Sequence, residues 1–142
     1  MSFYTMKDII ETAEQKGAKI SDVVLEMESN ETGLPTDEIM KKMAYNYKIM
    51  KDSVIHGISR IIPSISGLTG GEGYRLWKNI ENGLSGETVL KASSRAMAVS
   101  NVNASMGRIV ASPTAGSCGI IPGVLITVGE KLGKSDHDIV KA

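Results

Sequence analysis

Residues 87–132, ETVLKASSRAMAVSNVNASMGRIVASPTAGSCGIIPGVLITVGEKL, decide the fold class of this chain. The first part, 87–111, is rich in Ala, Ser and Val, and small side chains on both faces indicate a helix buried among close neighbours. The stretch 112–119, SPTAGSCG, has the Gly, Ser and Pro content of a loop. Residues 120–132 are apolar again and predict a second helix with Pro122 in its first turn.

The remaining chain also has helical periodicity. Apolar residues at helical spacing predict five further helices, over residues 5–16, 21–29, 35–62, 72–82 and 135–142. Thr5 and Asp8 have the spacing of a capping box, and Gly17 is a stop signal. A second Gly-rich loop, SISGLTGGEG, is predicted over 64–73. No segment alternates as a strand does, so we predict a mainly α fold, a single helical domain over 1–142 with two Gly-rich loops near one another.

Composition excludes several classes of protein. The 142 residues carry 16 Lys and Arg against 16 Asp and Glu, and this balance argues against binding to nucleic acid or an anionic membrane. The single Cys rules out an intrachain disulfide and an all-Cys zinc site within the chain. The longest apolar stretch, near 120–128, is far shorter than the roughly 20 residues of a membrane helix. The N-terminus lacks a signal pattern, and we expect a cytoplasmic protein.

The loop at 112–119 carries the only Cys, Cys118, just before an apolar helix. Amides at a helix N-terminus attract anions and lower the pKa of a thiol. The loop therefore suits a bound carboxylate, a reactive thiolate or a thiolate on a metal. The alternative is a tight turn with a buried, inert Cys. Thr114 is a weaker candidate for contact with a substrate.

The loop at 64–73 has the composition of an anion cradle built from backbone amides. It is neither a P-loop nor a dinucleotide fingerprint, because no Lys-Ser or Lys-Thr follows the glycines and no strand precedes them. The alternative is a flexible turn between helices. In the following helix, the amides of Asn101 and Asn103 must be paired if buried, either with a neighbouring helix end or with a substrate carboxylate.

A family resemblance is carried by two strings, NASMGRIVASPTAGSCGIIPGVL at 103–125 and SGLTGGEGYRLWKNIENGLSGETVLKASSRAMAVSNVNASMG at 66–107. Both strongly resemble the catalytic α part of the bacterial iron–sulfur L-serine dehydratases. The short helices and the long Met-rich helix at the start of the chain are also similar to that α part. The resemblance thus covers essentially the whole chain, and both loops match in order and spacing.

The resemblance implies an enzyme that converts L-serine to pyruvate and ammonia with a [4Fe–4S] cluster and without pyridoxal phosphate. It implies that Cys118 is a cluster ligand. It further implies that the substrate pocket is lined by Ser66, Thr69, Gly70 and Gly71, with Asn101, Asn103 and Thr114 as weaker candidates. The family's other cluster cysteines come later in the α part and are absent here.

The chain is therefore expected to be the N-terminal, incomplete half of a larger α-helical catalytic domain, working with a separate β chain. This piece alone is expected to hold no cluster, to be inactive and to self-associate, since an uncovered apolar face favours a homo-oligomer. Two alternatives from other classes stay open. One is a non-catalytic helical binding module that uses the stripe of Met40, Met43 and Met50 on a partner helix. The other is a thiol redox sensor centred on Cys118.

Overall fold

The computed structural model describes residues 5–142, and within them the protein is helical, with an isolated bridge between Pro63 and Gly70 and no strands. This confirms the mainly α class. The α-helices are α1 Met6–Lys16, α2 Ile20–Thr32, α3 Thr36–Ser59, α4 Glu72–Lys78, α5 Glu87–Ala104, α6 Ser117–Lys131 and α7 Asp136–Lys141. A short 3-10 helix, Ile80–Asn82, lies between α4 and α5.

Helix α5 is the centre of the fold, because α3, α4 and α6 all pack against it. The core joins Tyr47 and Val54 of α3 to Val99 of α5 and Ile126 of α6. The prediction of a buried helix made of small residues is confirmed, since Ala98 is fully buried. Helices α1 and α2 extend the layer beside α3, and α7 packs on α3 and α6.

Glycine allows three backbones to meet at Ala98. A Cβ on Gly57 of α3 would stand 2.5 Å from the Ala98 carbonyl oxygen. A Cβ on Gly73 of α4, the second helix that packs on Ala98, would collide with the Ala98 amide nitrogen. Larger residues at these positions would push the helices apart, so the position of α4, and of the loop before it, depends on these contacts.

Helix ends set by local signals agree with the sequence. Thr5 and Asp8 form the predicted capping box, and Gly17 ends α1 in the left-handed conformation with φ 59°. Ser135 opens α7 with a second capping box, to Asp138. These ends depend on side-chain and backbone bonds within a few residues, which is why the sequence alone locates them.

The prediction of one helix over 87–111 is wrong, because α5 ends at Ala104. Met106 takes a left-handed conformation with φ 63°. Its amide donates to the Asn103 carbonyl at 3.0 Å, and the Gly107 amide donates to the Val102 carbonyl at 2.8 Å. This pair of bonds is a Schellman motif, which normally places Gly at the left-handed position. A Met there gives no sequence signal for the helix end.

Four other predicted boundaries differ from the structure. The helix predicted at 120–132 begins three residues earlier, at Ser117, and ends at Lys131. The helix predicted at 72–82 stops at Lys78 and continues as the 3-10 turn. The cause lies at Asn79, whose side chain donates to the Arg75 carbonyl and whose backbone amide donates to the Leu76 carbonyl. Helix α2 is longer than 21–29 because a left-handed Gly33 caps it. Helix α3 stops at Ser59, where Arg60 turns extended.

The stripe of methionines on α3 is divided between core and surface. Met50 packs against the core cluster, while Met43 is 48% exposed. Across residues 5–142, no helix has both the length and the apolar character that a membrane crossing requires.

Candidate functional site

The loop between α3 and α4 folds as a compact turn against the C-terminal end of α5. The Ser64 amide donates to the Thr69 carbonyl at 2.8 Å, and the buried Ser64 hydroxyl accepts from the Thr69 amide at 3.2 Å. The Ile65 amide donates to the Ala104 carbonyl at 3.1 Å, which pairs one of the last carbonyls of α5. The side chains of Ser66 and Thr69 are exposed at the tip.

Gly70 and Gly71 follow this turn with φ of 145° and 80°. Side chains of L-residues rarely adopt these angles, and a Cβ on Gly70 would also collide with the Ile62 carbonyl oxygen. The Gly70 amide donates to Glu72 Oε1 at 2.9 Å, and its carbonyl accepts from Arg75 Nη1 at 3.0 Å. The chain thus enters α4 through two residues that have no side chain.

Asn101 connects this loop to α5. Its Oδ1 accepts from the Gly73 amide at 3.1 Å, and its Nδ2 donates to Glu72 Oε2 at 2.5 Å. Ser94 adds a third bond by donating to the Gly73 carbonyl at 2.8 Å. Of the two alternatives for the buried Asn101 amide, the structure shows the neighbouring helix end. Contact between Asn101 and a substrate stays a prediction.

The same hydrogen bonds affect the pKa of the Glu72 carboxylate. Donation from the Gly70 amide, then from its own amide, then from Asn101 lowers its pKa below the ordinary 4.5, and the nearby Arg75 charge adds to the effect. Sequence reasoning missed both Glu72 and Ser64 as parts of this site. The available signal was an acidic residue directly after two glycines at a helix start, where it can accept free amides.

The second loop ends in a tight turn into α6. Gly116, with φ 84°, precedes the helix, and Ser117 donates its amide and its hydroxyl to the Thr114 carbonyl at 3.1 and 2.5 Å. Cys118 therefore lies inside the first turn of α6 instead of in the predicted loop, and its free thiol is half-buried. Pro122 lacks an amide hydrogen and cannot donate to the Cys118 carbonyl.

The two loops lie on opposite faces of α5. Gly73 contacts Ala98, whereas a Cβ on Gly119 would stand 2.6 Å from the Ala96 carbonyl oxygen. Residues 96 and 98 of a helix point about 200° apart around its axis. The last residues of the two loops, Gly73 and Gly119, thus meet α5 at neighbouring positions from opposite sides, while Ile65 of the first loop lies at the Ala104 end. The prediction that the loops are near one another fails around the helix axis, because α5 separates them.

The other predicted site residues are on the surface. Asn103 is exposed near the end of α5, and its side chain makes no hydrogen bond with residues 5–142. Thr114 is also exposed, and its amide donates to the Ser117 hydroxyl at 3.3 Å. Among the described residues, no three His, Cys, Asp or Glu side chains come together as a metal site.

Arg95 is a buried charge in α5 that sequence reasoning missed. Its guanidinium donates to the Thr127 hydroxyl at 2.9 Å and pairs with Glu130 at 2.6 Å, and it stacks 5.1 Å from the centre of the Trp77 ring. These contacts join α4, α5 and α6. The signal was an Arg among the small residues in the middle of the helix, and a charge that is buried there must be paired.

The profile of the family described as "Serine dehydratase alpha chain" matches residues 15–142. The chain belongs to the serine dehydratase alpha chain family. Both loops, α5 and α6 lie within the matched range, so the whole candidate site is part of the family's sequence pattern.

Two relatives show how much of an alpha chain this sequence represents. It is 38% identical over 141 residues to the "Probable L-serine dehydratase, alpha chain" of Bacillus subtilis (strain 168), covering 98% of this chain and 47% of the relative. It is 36% identical over 129 residues to the "L-serine dehydratase, alpha chain" of Peptoniphilus asaccharolyticus, covering 89% of this chain and 44% of the relative. The chain thus spans less than half the length of either relative. No solved structure matches it.

An iron–sulfur cluster needs more thiolates than this chain supplies. Such clusters are held by several Cys thiolates. The chain has one Cys, and among residues 5–142 no three His, Cys, Asp or Glu side chains come together. One thiolate does not fit a cluster by itself, so Cys118 would supply one ligand to a site completed by other residues.

Proposed function

We propose that this chain is part of an L-serine dehydratase, which converts L-serine to pyruvate and ammonia in the cytoplasm. The observation that carries the proposal is the family match over residues 15–142. The names of the relatives from Bacillus subtilis and Peptoniphilus asaccharolyticus support L-serine as the substrate. The active enzyme would contain the remaining alpha-chain sequence and a β chain.

The substrate pocket is proposed at the loop between α3 and α4. The exposed hydroxyls of Ser66 and Thr69 offer hydrogen bonds to a small polar molecule. Beside them, Gly70 and Gly71 are proposed as the floor of the pocket, where Gly70 is half-buried with its amide bonded to Glu72 and Gly71 is buried. The hydroxyls of Ser66 and Thr69 are the donors that suit the carboxylate of L-serine.

The pocket would extend around the C-terminal end of α5. The Ile65 amide already contacts the Ala104 carbonyl there, and Asn103 exposes a free amide at the same end. Asn103 and Thr114 are proposed as weaker contacts to the substrate. Asn101 reaches the pocket through Gly73 and Glu72, to which it is bonded.

Elimination of hydroxide from serine needs help for a poor leaving group. A [4Fe–4S] cluster would supply a Lewis acid for the serine hydroxyl, without pyridoxal phosphate. Within this chain, Cys118 would hold one iron from the first turn of α6. Residues 64–73 would orient the carboxylate, and because α5 separates this loop from Cys118 within one chain, the two would meet at one substrate across an oligomer. The base that takes the α-proton is not assigned to this chain.

The test uses a full-length alpha chain carrying this sequence with its β partner, reconstituted without oxygen. We expect serine-dependent pyruvate formation, and we expect Cys118→Ser to lose most of the iron and the turnover. Ser85→Ala, an exposed change at the opposite end of α5, is the control and should keep both. Cys118→Ser with full iron and full turnover would mean that Cys118 is only a structural thiol. The 142-residue chain alone should hold no cluster and form no pyruvate.

A further inference from the structure

The start of α4 is held in place by hydrogen bonds of two side chains, one of them buried and the other exposed. Asn101 is 6% exposed, and both atoms of its amide are engaged, Oδ1 with the Gly73 amide and Nδ2 with Glu72. Glu72 continues the chain of bonds by accepting from the Gly70 amide. A connected path thus runs from α5, through one carboxylate, to the glycine backbone.

This path of hydrogen bonds matters because the backbone of glycine has more conformational freedom than that of any other residue. Two adjacent glycines with positive φ lose more conformational entropy on ordering than any other pair of residues. The bonds from Glu72 to the Gly70 amide and from Arg75 to the Gly70 carbonyl fix both sides of that residue. Because Asn101 sits in the buried face of α5, it gives Glu72 a rigid support.

We propose that Glu72 and Asn101 are a positioning pair, which fixes the Gly70–Gly71 backbone and with it the adjoining turn whose exposed Ser66 and Thr69 hydroxyls bind the substrate carboxylate, and that Asn101 does not itself contact substrate. The proposal rests on the function proposed above for the pocket. An Asn near a carboxylate site is expected to contact the substrate directly. Here the role of Asn101 is instead indirect. The reason is that the Asn101 amide is buried and already paired on both atoms.

An exchange of the two side-chain types separates these roles. In Glu72→Gln with Asn101→Asp, the new Gln amide donates to the new Asp, and the Asp still accepts from the Gly73 amide. The Gln oxygen still accepts from the Gly70 amide. Every bond of the path is kept, whereas an Asp at residue 101 would repel a carboxylate bound directly to it. Each single change instead sets two donors or two carboxylates against each other.

The experiment measures kinetics of the full-length alpha chain with its β partner. We expect Glu72→Gln and Asn101→Asp each to lower kcat/KM at least about tenfold, and the double variant to recover to within about fivefold of the parent enzyme. The loss should fall mainly in KM, since the carboxylate keeps its form throughout the elimination. Glu81→Gln, which removes an exposed carboxylate outside the path, is the matched control and should keep the parent values. A double variant as impaired as Asn101→Asp alone would overturn the proposal.

Hydrogen exchange of the same complex gives a readout that does not depend on turnover. The Gly70 and Gly73 amides should exchange at least about tenfold faster in each single variant and be protected again in the double variant. Unchanged exchange in both single variants would overturn the positioning role whatever the activity. A parent complex without serine-dependent pyruvate formation, but with this exchange pattern, would instead refute the proposed function and leave the pairing of Glu72 with Asn101 established.

Discussion

Gly119 of α6 and Ala96 of α5 touch backbone to backbone, and a Cβ on Gly119 would stand 2.6 Å from the Ala96 carbonyl oxygen. The Ser100 hydroxyl lies 3.2 Å from the same position. This contact sets the position of the first turn of α6, which carries Cys118. Backbone atoms of a buried helix cannot move aside as a flexible side chain does, so residue 119 must be glycine for the two helices to pack in this way.

Gly119→Ala should therefore destabilise the chain by about 1–3 kcal/mol, the usual cost of overpacking. Helix propensity alone predicts the opposite sign, a gain of about 1 kcal/mol for Gly→Ala inside a helix. Urea denaturation of the two proteins decides between them. Gly86→Ala is the control, because a Cβ there meets nothing within 4 Å, and its effect should stay below about 1 kcal/mol. A stabilised Gly119→Ala variant would show that α5 and α6 are further apart.

Met106 should be replaceable by glycine with a gain in stability. It is 84% exposed and has φ 63°, so it contributes little burial while paying for a left-handed backbone. After the extra freedom of an unfolded glycine is subtracted, Met106→Gly should gain about 0.5–1 kcal/mol. The same change at Met97, 45% exposed inside α5, should lose about 1 kcal/mol. Thermal unfolding of both variants measures the contrast, and equal signs would contradict the Schellman ending of α5.

Glu72 should make the stability of the chain dependent on pH in the acid range. Its folded pKa is lowered, mainly by the Gly70 amide, so its contribution is complete above its ordinary pKa of 4.5 and is lost as the pH falls through the lowered value. The parent chain should exceed Glu72→Gln in stability at pH 7, and the difference should shrink below pH 4.5. Urea midpoints between neutral and acid pH test this, and a difference that grows on acidification would contradict it.

The outer face of α6 should drive self-association of the 142-residue chain. Helix α6 packs on α5 with one side, while Val124, Leu125 and Leu132 remain 44%, 38% and 62% exposed on the other. Contiguous apolar surface of this kind is uncommon on monomers in solution. Sedimentation velocity should show association that weakens in Val124→Asp. Leu84→Asp, a fully exposed position before α5, is the control and should associate as the parent does. A parent chain that stays monomeric at high concentration would contradict the prediction.

The sequence by itself determined the class of fold, most of the helices and the presence of a loop on each side of α5. The capping box at Thr5, the stop at Gly17 and the helix start at Ser135 involve only neighbouring residues, so local chemistry was sufficient to predict them. The small residues of α5 likewise predicted a buried helix, since small side chains on both faces allow neighbouring helices to pack closely. Family resemblance followed from the two loops in order.

Only the tertiary structure decided where α5 ends, which partner Asn101 takes and how the loops are arranged. Met106 adopts a left-handed conformation that its side chain does not favour, so the chain continues to look helical past Ala104. Asn101 had two chemically equal partners, and the packing of Gly73 on Ala98 brought one of them within hydrogen-bonding distance. The loops flank opposite faces of α5 because contacts between distant residues set how helices pack, and such contacts leave no local pattern in a sequence.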